Sequence, residues 1–95
     1  MTDMNTLRSH IFLGKRYRVQ FLPKLRDNND GETEPPGRKG KTIRLRKGMA
    51  DDDLLETAIH EAIHACLWTV DEDTVGDMAL DIARFLTRLG FRKGL

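Results

Sequence analysis

The sequence His60-Glu61-Ala62-Ile63-His64 constrains this chain more than any other feature, because it lies inside a stretch of helical apolar periodicity from Leu54 to Val70. On an α-helix, a spacing of four residues places both imidazoles on one side, one turn apart, where they can share an ion. Glu61 lies about 100° around the helix, where it can serve as a base without occupying that ion. The HExxH motif therefore predicts a helix that supplies two metal ligands and a general base.

The alternative interpretation is that these are ordinary polar residues of an amphipathic helix. Helical-wheel geometry predicts a core-facing stripe from which both histidines point about 120° to 180° away; it consists of Leu55, Ile59, Ala62, Cys66 and Val70. The two residues are also two of only three histidines in the chain. A His-rich composition therefore does not explain the motif.

Length and composition predict one small domain that spans residues 1–95. The lone Cys66 excludes an internal disulfide framework and is typical of a reducing compartment. No apolar run is long enough for a membrane span, and residues 1–10 lack the pattern of a signal peptide. We therefore expect a cytoplasmic protein with no membrane partner.

Charge is segregated along the chain although the net charge is only +1. Residues 15–47 carry eleven Lys or Arg and four Asp or Glu, whereas residues 48–83 carry ten acids and no Lys or Arg. An acidic stretch around two histidines suits a divalent cation, and the basic stretch would attract an acidic substrate or nucleic acid. The alternative is that the two stretches only attract each other.

Two segments have the period-two alternation of half-buried strands. Gly14 to Leu25 places Tyr17, Val19 and Phe21 on one side, and Thr42 to Lys47 does the same with Ile43 and Leu45. We expect these strands to pair antiparallel as a small sheet. Segment 1–13 is predicted to be irregular, and segment 26–41, rich in Asn, Asp, Gly and Pro, is predicted to be a flexible connector.

Two helices follow the strands. The sequence Asp53-x-x-Glu56 resembles a capping box and predicts an active-site helix over 54–70. A second amphipathic pattern predicts a backing helix over 75–89, with Thr74 at its cap and Gly90 after its end. The predicted fold class is α+β, an antiparallel strand pair packed on two antiparallel helices.

Zinc needs a third protein ligand, and the backing helix is the place to expect it. In an antiparallel pair, Asp77 falls level with His64 and Asp81 with His60. We favour Asp81, because Asp77 has an alternative role in capping the helix. An ion pair with Arg84 or Arg88 is the alternative for Asp81. Glu72 and Asp73 in the turn are further candidates, which we expect to start the helix instead.

The order of strands, HExxH helix and carboxylate-bearing helix resembles the zincin metallopeptidases, in particular minimal members such as the minigluzincins and short HExxH proteins of phage and bacterial genomes. The specific residues are those of Ala58 to Ala65 and, more weakly, Asp81 to Leu86. The resemblance implies that His60 and His64 bind Zn²⁺ and that Glu61 is the general base. It also implies that the second strand binds an extended peptide, through Ile43, Arg44 and Leu45. Gluzincins use glutamate as the third ligand, whereas the predicted backing helix holds only aspartates. Trp68, on the same side as His64, is a candidate wall for a substrate cleft, with packing as its alternative role.

Two functional hypotheses follow. In the first, the chain is a zinc-dependent peptidase that acts on a peptide or protein substrate, with Zn²⁺ held by His60, His64 and Asp81, and with Glu61 as the base. In the second, the chain is a non-catalytic binding module whose basic strands in 15–47 contact nucleic acid or an acidic protein, and the metal site is structural or vestigial. The sequence does not indicate an oligomeric state.

Overall fold

The computed structural model describes residues 8–91, which form a four-stranded mixed sheet and two helices. The strands are β1 (Ser9–Phe12), β2 (Lys15–Leu22), β3 (Gly31–Thr33) and β4 (Thr42–Arg46). The helices are α1 (Asp51–Cys66) and α2 (Glu72–Arg88), and a short 3₁₀ turn covers Arg26–Asn28. The predicted α+β class is confirmed.

The sheet has the order β1-β2-β4-β3, with β1 antiparallel to β2 and β3 antiparallel to β4. The two predicted strands correspond to β2 and β4, and they pair in parallel, with Val19 opposite Ile43. The prediction of an antiparallel pair was therefore wrong. Strand β3 lies inside the segment predicted to be a connector. It adds a second reversal of the chain between β2 and β4, so β4 runs parallel to β2.

Two segments predicted to lack regular structure contain strands. Strand β1 lies in segment 1–13, of which residues 1–7 are outside the described part of the chain, and it forms a hairpin with β2. The hairpin turn has Leu13 and Gly14 at positive φ. Strand β3 lies in segment 26–41, and its three residues are too polar to give an apolar alternation. Strand β1 is stabilised by its pairing with β2, and β3 by its pairing with β4. The sequence of either segment alone does not reveal this pairing.

The inner face of the sheet packs on α1. Tyr17, Ile43 and Leu45 are buried there against Leu54 and Ala65 of the helix. The Tyr17 hydroxyl donates a hydrogen bond of 3.5 Å to the carbonyl oxygen of Ala65. Burial raises the pKa of this phenol above its usual value. The buried residues of α1 are Leu54, Glu61 and Ala65, each one residue before a member of the predicted stripe.

Helix α2 packs on α1 through small buried residues, Val75, Ala79 and Ala83. The end of α1 lies beside the start of α2, and the start of α1 shares a groove with the end of α2. The helices therefore run antiparallel, as predicted. Within residues 8–91, no helix is long and apolar enough to cross a membrane.

Both helices begin three residues earlier than predicted. Helix α1 begins at Asp51 and has no side-chain cap, and three aspartates occupy its first turn, where the positive end of the helix favours them. Helix α2 begins at Glu72 because Asp71, rather than Thr74, is the N-cap. The Asp71 carboxylate accepts hydrogen bonds from the Thr74 amide at 3.0 Å and from the Thr74 hydroxyl at 2.8 Å. These bonds hold the pKa of Asp71 below its usual value.

Strand β3 is held to the sheet by ion pairs on its outer face. The Arg44 guanidinium donates to Glu32 and to Glu34, each at 3.0 Å, and Arg46 donates to Asp30 at 3.0 Å. Burial alone would raise the pKa of Glu34, but the hydrogen bond and positive charge of Arg44 hold it below its usual value. Charge pairing thus replaces the apolar contacts that so short a strand lacks.

We predict that Arg44→Gln weakens the fold by on the order of 1 kcal/mol at neutral pH and reduces its sensitivity to acid. A carboxyl whose pKa is lower in the folded state stabilises the fold above its unfolded pKa, and this stability is lost as the pH falls through the folded pKa. Thermal unfolding between about pH 6 and about pH 3 should therefore lower the Tm of the wild type more than that of the variant. Arg18→Gln, at an exposed position on β2, is the control. Wild-type and Arg44→Gln curves that stay parallel would contradict the account.

Candidate metal centre

Helix α1 aims the ring nitrogens of His60 and His64 at the same point. Their Nε2 atoms are 3.2 Å apart, and their ring centroids are separated by 4.9 Å. The side chains are 21% and 14% exposed, respectively, so the pair lies at the base of an open cleft rather than free in solvent. The arrangement follows from the four-residue spacing on one helix face.

The third group at this point is Glu72, the first residue of α2. Its Oε1 lies 2.6 Å from His60 Nε2 and its Oε2 lies 3.0 Å from His64 Nε2. The Asp71 cap fixes where α2 starts and therefore where the next carboxylate stands. Both helices thus contribute to one cluster, across a connection of only five residues, 67–71.

The cluster suits a zinc ion by donor type, and its two ring nitrogens also suit one by spacing. Within residues 8–91, His60, His64 and Glu72 are the group whose ligand atoms all lie within 4.8 Å of one another. Bond lengths of about 2.0–2.1 Å in a tetrahedral site require nitrogens about 3.3 Å apart, close to the separation of the two Nε2 atoms. Two imidazoles and a glutamate are a donor set of catalytic zinc sites. The residues present therefore fit the metal that the motif implies.

The structure does not bring Asp77 or Asp81 to this cluster. One turn after Glu72, the α2 residue that faces His60 is Gly76, where an added Cβ would lie 4.0 Å from the imidazole. Asp77 and Asp81 lie about 100° and 140° further around the helix and are exposed. Asp81 instead lines a surface groove with Arg84, Phe85, Arg88 and Leu89. Asp81 lies beside Met78 and Phe85, and the side of α2 that packs on α1 is formed by Val75, Ala79 and Ala83 instead.

Glu61 is buried, with only 6% of its surface exposed. The Thr33 hydroxyl lies 2.7 Å from Glu61 Oε1 and 3.1 Å from the Glu61 carbonyl oxygen. Burial raises the pKa of the Glu61 carboxyl above its usual value, although Thr33 and the two histidines act in the opposite direction. The carboxylate that the motif provides as a base is therefore fixed in position by the edge of the sheet.

Strand β3 approaches Glu61 so closely that only glycine fits at position 31. A Cβ on Gly31 would lie 2.8 Å from Thr57 Cγ2 and 2.9 Å from Glu61 Cγ. These distances are below van der Waals contact, so any side chain there would displace the helix residues or the strand. Gly31 and Thr33 together determine how the sheet edge meets α1.

The cleft in front of the cluster is bounded by β3 on one side and by Trp68 on the other. The Trp68 ring lies 6.1 Å from that of His64 and is 41% exposed. The residues that line the cleft include Gly31, Glu32, Thr33, His60, Glu61, His64, Trp68 and Glu72. Trp68 therefore lines the cleft, and its contact with a substrate stays a prediction.

The prediction that Ile43, Arg44 and Leu45 bind substrate is corrected by the sheet order. These residues belong to β4, which has β2 on one side and β3 on the other, so it offers no free edge. Ile43 and Leu45 are buried in the core, and Arg44 is paired with acids on the opposite face of the sheet. Among residues 8–91, the edge strand beside the cleft is β3.

Two residues of the site, Gly31 and Thr33, were not predicted from the sequence, and a third, Glu72, was not the favoured ligand. Glu72 was a further candidate for the third ligand, but it was expected to start the helix instead, and Gly31 and Thr33 fell in the segment predicted to be a connector. A signal for Glu72 was present, because Asp71 three residues before Thr74 is an N-cap pattern that moves the helix start to Glu72. No comparable signal identifies Gly31 and Thr33, which act through contacts distant in sequence.

Comparison of the chain with protein-family models, with curated proteins and with solved structures found no match.

We predict that Glu72→Ala lowers zinc affinity by more than about 100-fold, because loss of an outer-shell partner alone costs about 10–100-fold. The matched controls are Asp77→Ala and Asp81→Ala, which remove a carboxylate from the same helix and should leave the affinity unchanged. Competition with a chromophoric chelator measures all three. Loss of zinc in either control, with retention in Glu72→Ala, would contradict the assignment.

We predict opposite effects for two Gly→Ala substitutions beside the cluster. Gly31→Ala should destabilise the fold by about 1–3 kcal/mol through overpacking against Thr57 and Glu61. Gly76→Ala should be neutral or stabilising by up to about 1 kcal/mol, since its Cβ makes an ordinary contact and alanine favours the helix. Chemical denaturation measures both, and zinc affinity should be retained in each. Equal stability of the two variants would refute the close approach of β3.

Proposed function

We propose that this protein is a zinc-dependent peptidase of the minimal zincin type. The observation that supports this most directly is the convergence of His60 Nε2, His64 Nε2 and the Glu72 carboxylate at the base of an open cleft, beside a buried Glu61. The ligand set is that of the gluzincins, whose third ligand is a glutamate. Here the glutamate comes from the first residue of the backing helix.

His60, His64 and Glu72 would hold the ion. When bound in such a site, zinc lowers the pKa of a water molecule and polarises the carbonyl of the scissile bond. Three protein ligands leave a coordination position available, which distinguishes a catalytic from a structural site. The exposed side of the cluster, toward Glu72 and the cleft, is where that position would be reached.

Glu61 would take a proton from the attacking water and pass it to the leaving amine. Thr33 engages Oε1, and none of the hydrogen bonds made within residues 8–91 involves Oε2. Oε2 is therefore the oxygen free to receive the proton. Burial raises the pKa of this carboxyl, and a raised pKa brings it closer to the range in which a group can both accept and return a proton.

The free edge of β3 would hold the substrate. An extended peptide can pair with unpaired main-chain groups as an additional strand, and its register then fixes which peptide bond reaches the metal. The edge runs directly past Glu61, since both Gly31 and Thr33 contact that side chain. Trp68 on the opposite wall offers an apolar surface to a substrate side chain.

The alternative role of the basic strands as a nucleic-acid surface has less support. Arg38, Arg44 and Arg46 form ion pairs with acids of the same sheet edge, so part of the positive charge is neutralised within the fold. Tyr17 is completely buried and cannot stack on a base. We therefore propose the hydrolase alone.

We predict that Glu61→Gln retains zinc but loses at least about 100-fold in peptide hydrolysis, because glutamine keeps the size and the Thr33 hydrogen bond but cannot accept the proton. The measurement is cleavage of a quenched fluorogenic peptide library by zinc-loaded protein, with zinc content determined in parallel. Full activity in Glu61→Gln would remove this residue from the mechanism. A zinc-loaded wild type that cleaves no peptide would refute the peptidase proposal.

A further inference from the structure

Helix α2 has a second apolar stripe in addition to the one that packs on α1. We name it the α2 ridge; it consists of Met78, Ile82, Phe85 and Leu89. Ile82 is 41% exposed, Phe85 62% and Leu89 59%. Such a continuous apolar strip on the surface of a small domain marks an interaction site.

The spacing of the α2 ridge is that of a helix that packs against another helix. Successive members are four, three and four residues apart, which places them at alternating d and a positions of a heptad. The face toward α1 is formed by other residues, Val75, Ala79 and Ala83. The α2 ridge therefore has the pattern of a helix–helix contact without a partner helix among the described residues.

The charges beside the α2 ridge indicate that its partner is the same helix of a second copy. Asp81 and Arg88 both occupy g positions, four residues before and three residues after Phe85. In an antiparallel pair with a two-fold axis near Phe85, Asp81 of each copy faces Arg88 of the other, which gives two ion pairs by symmetry. In a parallel pair, Asp81 would face Leu86 of the other copy, and no ion pair between Asp81 and Arg88 would form.

We propose that the protein forms a symmetric dimer in which the α2 ridges of two copies pack antiparallel, flanked by Asp81–Arg88 ion pairs. The α2 ridge does not line the cleft, so the dimer leaves the candidate metal centre open. Two stripes of this length bury less than the roughly 800 Å² per partner of a standard interface. We therefore expect a weak dimer that dissociates in the micromolar range.

Sedimentation equilibrium from about 1 μM to about 1 mM tests the proposal. The wild type should show a monomer–dimer equilibrium, and Phe85→Ser should weaken it by at least about tenfold through loss of the central apolar contact. The matched control is Ile11→Ser, a residue on β1 that is 51% exposed and outside the α2 ridge. A wild type that stays monomeric over this concentration range would overturn the proposal. The same holds for a monomeric wild type that binds a helix of another protein.

A charge exchange tests the antiparallel geometry. Asp81→Arg and Arg88→Asp should each weaken the dimer by placing like charges opposite each other, and the double variant should restore the wild-type affinity. Both substitutions are at exposed positions, so we expect each variant to fold. A dimer insensitive to Phe85→Ser, or a double variant no better than the single ones, would show that the copies meet elsewhere.

Discussion

The contact between the edge strand β3 and helix α1 at Glu61 is the constraint on which the rest of the structure depends. A carboxylate with 6% exposure is costly unless its oxygens are satisfied, and Thr33 of β3 supplies the hydrogen bond. Gly31 permits the strand to come close enough to do so. The ion pairs of Arg44 then hold that short strand in the sheet. The edge strand β3, the Glu61 carboxylate and the ion pairs of Arg44 therefore form one connected unit.

Helix α1 connects this unit to the candidate metal centre, because different faces of the helix contact different neighbours. Ala65 and Leu54 pack on the sheet, whereas His60 and His64 face the start of α2. Glu72 stands at the N-terminus of α2, where the helix dipole favours an acid even without a metal. Binding of an ion there would join the two helices and so stabilise the fold by mass action.

The sequence was sufficient for features that depend on local periodicity, and insufficient for those that depend on distant contacts. The alternation in 14–25 and 42–47 predicted two strands and their buried sides, and the HExxH motif predicted the helix and the direction of its imidazoles. Asp81 was favoured over Glu72 as third ligand because a helix start placed three residues late removed Glu72 from α2, whereas the structure places Glu72 beside both histidines. The parallel pairing of β2 and β4 was not predictable without β3, a strand that depends on its pairing and ion pairs with β4 and on its contact with Glu61.

The most direct test of this account is a crystal structure of the protein grown with zinc, with anomalous diffraction recorded at the zinc edge. The account predicts one anomalous peak about 2.0–2.2 Å from His60 Nε2, His64 Nε2 and a Glu72 carboxylate oxygen, with Glu61 beside it but not bound to it. A peak bound by Asp77 or Asp81, or no zinc between the two histidines, would contradict it.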